Sequence, residues 1–180
     1  MSSTAAAHLR IELLRPEHDR GGFSCGVESL DHYLKTQASQ DIRRKANAVF
    51  ILAEQAAPRT ILGYATLCAT ALEFGDVPDA ARKLIPRYPL VSATLLGRLA
   101  IAGDRLGQGL GGILLALVLL KAYQSADSVG STMVVVDAID EPAAAFYVAH
   151  GFTRLAGGQR LVMGMRGIEA LVREKGMEPK

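Results

Sequence analysis

The sequence has no tryptophan, only two cysteines and four histidines, and almost no net charge. Each scarcity excludes something. Cys25 and Cys68 cannot build the disulfide framework of a small secreted scaffold, so both are expected reduced, in a cytosolic protein. His8, His18, His32 and His150 are scattered and do not make a metal-ligand set, so no metal is expected. A formal net charge of +2 does not by itself suggest nucleic acid. No apolar run reaches the ~18 residues that span a bilayer. The segment ILLALVLL at 113–120 is too short, and Lys121 follows at once. The start, MSSTAAAHLRIELLRPEHD, lacks the basic and apolar parts of a secretory signal.

What is present is a good supply of core. Apolar residues make up 49% of the chain, enough for one sizeable domain, expected over 1–170 with a frayed, charged tail at 171–180. HLRIELLRP reads as a first strand ended by Pro16. Leu30, Leu34, Ala38 and Ile42 are four apart and predict a helix over about 28–45 with one apolar stripe. AVFILAE and TILGYATLCATALEF predict a strand hairpin. Pro78, Pro86 and Pro89 make 76–90 a loop with one helical turn at 79–84. SATLLGRLAIA and TMVVVDAI read as strands on either side of a buried helix, ILLALVLLKAYQSA. In DEPAAAFYVAHGF, Asp140 caps a helix, Pro142 fits its first turn and Gly151 ends it, with His150 as a cap compatible with the helix dipole. FTRLA and QRLVMGMRG predict two late strands around a turn at Gly157 and Gly158. The order β, α, β, β, loop, β, α, β, α, β, β is that of an α/β domain with a mixed sheet.

Four glycines, Gly107, Gly109, Gly111 and Gly112, fall between the strand ending near Ile101 and the next helix. A strand, a glycine loop and a helix start aim several unpaired N–H groups at one point, where the helix dipole adds positive potential. The loop 105–112 therefore reads as a phosphate or pyrophosphate cradle, with Arg105 able to add a charge-assisted contact. No Lys-Ser/Thr pair follows the glycines, which argues against an NTP-binding P-loop. Gly107, Gly109 and Gly112 do fit a dinucleotide fingerprint, and Asp127 lies downstream. Asp127, however, precedes the next strand rather than ending one, and too few βα units follow.

The second motif, FYVAHGF at 146–152, turns the balance. With LLGRLAI, RLGQGLGG, its helix, MVVVDAI and AAAFYVAHGF in this order, most of 45–165 resembles the GNAT-type N-acetyltransferases. The resemblance implies the GNAT fold, a mixed, mostly antiparallel sheet flanked by helices, and acetyl-CoA as cosubstrate. Family loops usually begin with Gln or Arg where this chain has Leu106; backbone donors do not depend on that side chain. The resemblance implies that Arg105, Leu106, Gly107, Gln108, Gly109, Leu110, Gly111 and Gly112 hold the pyrophosphate, and that the backbone of Leu99, Ala100 and Ile101 pairs with the pantetheine arm as an added strand would. Tyr147 becomes the candidate proton donor to the leaving thiolate, against the plain reading of a packed tyrosine; Phe146 is expected in the core. No Glu or Asp in SATLLGRLAIA offers a general base, which suits an amine of low pKa, such as an α-amino group at about 7.7–8.0.

A closer resemblance covers nearly the whole chain. FSCGVESLDHYLKTQASQD, AVFILAE, ILGYATLC and IPRYPLVSATLLGRLAI look like the GNAT toxins of bacterial toxin–antitoxin pairs. That implies acetylation of the α-amino group of aminoacyl-tRNA, a ribbon–helix–helix antitoxin and a homodimer. Arg43, Arg44 and Lys45 in DIRRKA, Arg82, Lys83 and Arg87 in ARKLIPRYP, and Arg98 are compatible with that substrate; the plainer reading of the two basic clusters is solvated surface. Two other functions stay open: an acetyltransferase for a small amine or a protein N-terminus, and a noncatalytic CoA-binding or partner-binding module.

Overall fold

The computed structural model describes residues 8–156 and 158–179. Among the described residues, seven strands form one mixed sheet in the order β1-β2-β3-β4-β5-β7-β6. They are β1 (Leu9–Leu13), β2 (Ala48–Glu54), β3 (Gly63–Glu73), β4 (Leu90–Ile101), β5 (Met133–Asp137), β6 (Thr153–Arg154) and β7 (Arg160–Gly164). The helices are α1 (28–43), α2 (Asp79–Arg82), α3 (Leu110–Ser125), α4 (Glu141–Ala149) and α5 (Met165–Glu174). β1–β2, β2–β3, β5–β7 and β6–β7 pair antiparallel, and β4–β5 pairs parallel. The chain divides into two compact units: Met1–Leu67 with Arg98–Val118, and Cys68–Gly97 with Leu119–Lys180.

In the first unit, β2 and the start of β3 present an apolar face to α1, through Val49, Ile51, Ala53 and Tyr64. The stripe predicted for α1 packs there: Leu34 and Ala38 are fully buried, and Leu30 and Ile42 lie against the same cluster. The helix is not regular. Tyr33–Gln37 forms a π turn between the α-helical segments Glu28–His32 and Ala38–Arg43, and both Tyr33 and Leu34 are buried in it. Four-residue spacing carries no sign of that insertion. The Tyr64 hydroxyl donates to the Leu30 carbonyl at 2.7 Å, satisfying a buried polar group where helix meets sheet. Gly63 is dictated by close approach, since a Cβ there would lie 2.7 Å from the Ala100 carbonyl oxygen. Among the described residues two buried side-chain atoms have no hydrogen-bond partner, Arg10 Nε and the Thr66 hydroxyl. Thr66→Val should therefore stabilise the protein by about 1 kcal/mol and raise Tm by about 2–4 °C in thermal unfolding. A lower Tm would show that the hydroxyl is satisfied.

The second unit has its own core of Leu72, Val77, Val91, Ala93, Met133, Val135 and Val162. Val134 and Val136 are buried as well, so β5 is covered on both faces, as its unbroken apolar run requires. α4 begins as predicted: the Asp140 carboxylate accepts from the Ala143 N–H at 2.8 Å. It ends at Gly151, φ 97°, with Phe152 N–H donating to the Tyr147 carbonyl and Gly151 N–H to that of Val148. Three expectations need correction. The late strand in QRLVMGMRG stops at Gly164, and α5 takes over at Met165. The tail does not fray from 171: α5 runs to Glu174, buries Ile168 and Val172, and closes on Gly176, φ 73°. Gly167 and the flanking charges disguise that amphipathic spacing. Phe146 is half-buried rather than core. Of the predicted turn glycines, Gly157 lies outside the described residues.

Candidate active site

The glycine loop sits in the first unit. Gly107 and Gly109 take φ of 78° and 75°, the left-handed region in which other residues are strained, and a Cβ at either would meet open space. So these two glycines serve backbone direction rather than tight packing. Gly111 and Gly112 differ: they lie in the first turn of α3. The Ile113 N–H reaches back to the Gly109 carbonyl over 3.4 Å, which makes Gly109, Leu110, Gly111 and Gly112 the orphan donors of a sixteen-residue helix. Leu106 is extended and 64% exposed. The Arg105 guanidinium stands 3.4 Å from the half-exposed Glu54 carboxylate, a loose pair that holds it weakly. A groove of about 820 Å³ borders the loop, lined by Gln108, Leu110, Ile113, Glu54 and Gln55 among others. Glu54 is a residue the sequence does not flag; nothing in its strand marks it. The residues fit an anion carried by a ligand: the first amides of α3 have no intrahelical acceptor, and a Cβ at Gly107 or Gly109 would meet open space.

Leu99, Ala100 and Ile101 end β4. The ladder from β4 to β5 has rungs at Thr94↔Val134, Leu95↔Val135 and Leu96↔Val136, while β4 runs on to Ile101. Ala100 and Ile101 are buried, and the Ala102 N–H is bonded to the Leu62 carbonyl at 2.8 Å. Core packing and backbone pairing are compatible at all three positions.

Tyr147 lies on α4, in the second unit. It is 7% exposed, with Phe146 and Phe152 edge-on at 5.2 and 5.4 Å. Among the described residues no hydrogen bond is made by its hydroxyl, and burial pushes its pKa up to about 12. The phenol is therefore a donor at neutral pH and cannot be a base. His150 caps α4: its Nδ1 donates to the Phe146 carbonyl at 2.8 Å, and its ring rests 4.4 Å from that of Phe146.

Of the basic candidates, Arg43, Arg44 and Lys45 are exposed in the first unit, and Lys83 and Arg87 are exposed in the second. Arg82 is committed elsewhere, to Asp79 at 2.9 Å and to the Val77 and Gly75 carbonyls. Arg98 is held over the Tyr33 ring, 3.5 Å from its centroid. The hydroxyl of Tyr33 donates to Asp41, which also accepts from Asn47. No sequence signal announces that network, because Asp41 reads as one more charge in DIRRKA. Among the described residues no group of three or more His, Cys, Asp and Glu side chains could hold a metal.

No family model matches the chain. A tRNA-acetylating toxin of Mycobacterium tuberculosis is 31% identical over 134 residues, covering 74% of this chain and 78% of the relative. The chain belongs to the GNAT-type tRNA-acetylating toxins. Solved members of that toxin family share its fold. A tyrosine-to-phenylalanine mutant of KacT superposes with a TM-score of 0.83 at 31% identity, covering 91% of this chain and 99% of that one. AtaT in complex with acetyl-methionyl-tRNAfMet superposes with a TM-score of 0.82 at 33% identity, covering 91% and 98%. A tyrosine-to-phenylalanine mutant of AtaT has also been solved with acetyl-CoA and the C-terminus of the antitoxin AtaR. For this toxin-family chain, the expected GNAT fold, with its mixed sheet and flanking helices, is what the structure has.

Proposed function

We propose that the chain moves acetyl from acetyl-CoA to the α-amino group of aminoacyl-tRNA, and so acts as a translation-blocking toxin held in check by an antitoxin. The AtaT complex with acetylated methionyl-tRNA supports the substrate, and the AtaR complex supports the cosubstrate and the partner class. The proposal extends to a ribbon–helix–helix antitoxin, a homodimer, a cytosolic location and a single catalytic domain made by residues 1–170. The observation that carries the chemistry is a buried phenol, protonated and without a protein partner among the described residues.

In the proposed reaction the amides of 107–112 bind the pyrophosphate and the backbone of Leu99–Ile101 pairs with the pantetheine. The neutral amine attacks the thioester carbonyl, the C–N bond forms and the C–S bond breaks. The Tyr147 hydroxyl hydrogen-bonds to the sulfur as negative charge gathers there, and the ammonium gives its proton to water. Complete transfer from a phenol at about 12 to a thiolate of ordinary pKa, about 8.5, is uphill by about 5 kcal/mol. The proton is therefore shared with the sulfur rather than surrendered. Arg43, Arg44, Lys45, Lys83, Arg87 and Arg98 are the proposed contacts to tRNA.

This chemistry sets the pH dependence. The phenol's pKa is raised, so the active, protonated form is complete below its unperturbed value of about 10 and is lost only as pH rises towards about 12. With an α-amino group as nucleophile, kcat/KM should rise through about pH 7–8 and stay flat to about pH 10. A fall centred near pH 9 would contradict the assigned donor. The function is tested by cell-free translation. Synthesis should stop when protein and acetyl-CoA are both added and continue with CoA alone. Arrest without acetyl-CoA would favour a noncatalytic module, and equal transfer to free small amines would favour the small-amine enzyme.

A further inference from the structure

Three helices of the described chain end in the same hydrogen-bonded turn. After α4 and α5 the residue that must turn left-handed is Gly151, φ 97°, and Gly176, φ 73°. After α1, Ala46 N–H donates to the Asp41 carbonyl at 2.8 Å and Lys45 N–H to the Ile42 carbonyl at 3.1 Å. The left-handed residue of that turn is Lys45, φ 58°, the one non-glycine with positive φ among the described residues. A glycine would relieve the backbone there, as it does in the other two turns. A lysine here carries a backbone penalty that a glycine would not, so its ammonium is the group to account for.

Its surroundings say what the need is. Arg43, Arg44 and Lys45 are exposed, and none forms an ion pair among the described residues. Lys45 lines a groove with Leu13, Leu14, Asn47 and Val49, and the Leu14 N–H is bonded to the Val49 carbonyl. Arg15, next along from Leu14, is also exposed and outside any ion pair among those residues. The nearby acids are engaged: Asp41 accepts from Tyr33 and Asn47, and Glu12 from His18 and Arg10. The corner thus keeps a net positive charge: four exposed cations face two carboxylates, Asp41 and Glu12, whose pKa values the hydrogen bonds from Asn47 and His18 lower first and Arg44 and Arg15 help to lower.

We propose that Arg15, Arg43, Arg44 and Lys45 contact the phosphate backbone of the tRNA, and that Lys45 is kept in its strained turn to place a charge there. This rests on the aminoacyl-tRNA reading above and adds Arg15 and the conformational constraint to it. The test is Lys45→Gly in the full chain, with Lys45→Arg as rescue and Lys175→Gln as an exposed charge removal elsewhere. Lys45→Gly should raise Tm by about 2–4 °C. At the same time it should raise KM for charged tRNA about fivefold at about 150 mM salt and reduce the slope of log affinity against log salt by about 1. Lys45→Arg and Lys175→Gln should keep the wild-type KM. A lower Tm for Lys45→Gly overturns the strain argument. An unchanged KM and salt slope, with wild type active on charged tRNA, overturns the contact, as does a loss confined to antitoxin affinity. A wild type that never acetylates charged tRNA overturns the underlying reading instead.

Discussion

Tyr147→Phe is expected to fold, to bind acetyl-CoA with wild-type affinity and to lose about a hundred- to ten-thousandfold in acetyl transfer. The substitution removes one atom. The ring keeps its edge-on packing against Phe146 and Phe152, and no protein hydrogen bond is broken because the hydroxyl makes none among the described residues. Nothing buried is orphaned, so the fold has no reason to weaken. What is lost is the one donor proposed for the departing sulfur. Thermal unfolding, calorimetry with acetyl-CoA and single-turnover transfer would separate these effects. Equal turnover in mutant and wild type would reject the role, and unfolding of the mutant would return Tyr147 to the status of a core residue.

Gly109→Asp should weaken acetyl-CoA binding by about tenfold or more. Two costs combine. Gly109 has φ of 75°, which a side chain occupies at a penalty, although aspartate tolerates it better than most residues. A carboxylate would also stand among the orphan amides at the head of α3, where the proposed ligand brings its own negative charge. Gly109→Ala separates the two, because it shares the backbone penalty without the charge and should lose much less affinity. A Cβ on residue 109 would meet open space, so the first side-chain atom of either variant is accommodated. Unchanged affinity in a folded Gly109→Asp protein would remove the phosphate assignment.

Both predictions rest on motifs that are legible in the residues. A β-branched run flags β5, and Asp140, Pro142 and Gly151 mark α4 at both ends, because capping chemistry is local. The glycine loop is legible in the same way, although only Gly107 and Gly109 need a left-handed backbone while Gly111 and Gly112 continue as helix. Long-range features are not. The π turn at Tyr33 and the stacking of Arg98 on it arise from tertiary packing, which leaves no period in the sequence. α5 escapes a sequence reading because Gly167 and its charges weaken a pattern that burial of Ile168 and Val172 makes plain. The turn at Lys45 is hidden for the opposite reason: the glycine that normally marks such a turn is replaced by a charge.

The most direct measurement is mass spectrometry of the aminoacyl group released from charged tRNA after incubation with the protein and acetyl-CoA. An acetyl group on the α-nitrogen of one or a few amino acids, absent with the Tyr147→Phe protein, is the predicted result. Charged tRNA recovered unmodified, at protein concentrations that bind acetyl-CoA fully, would contradict the account.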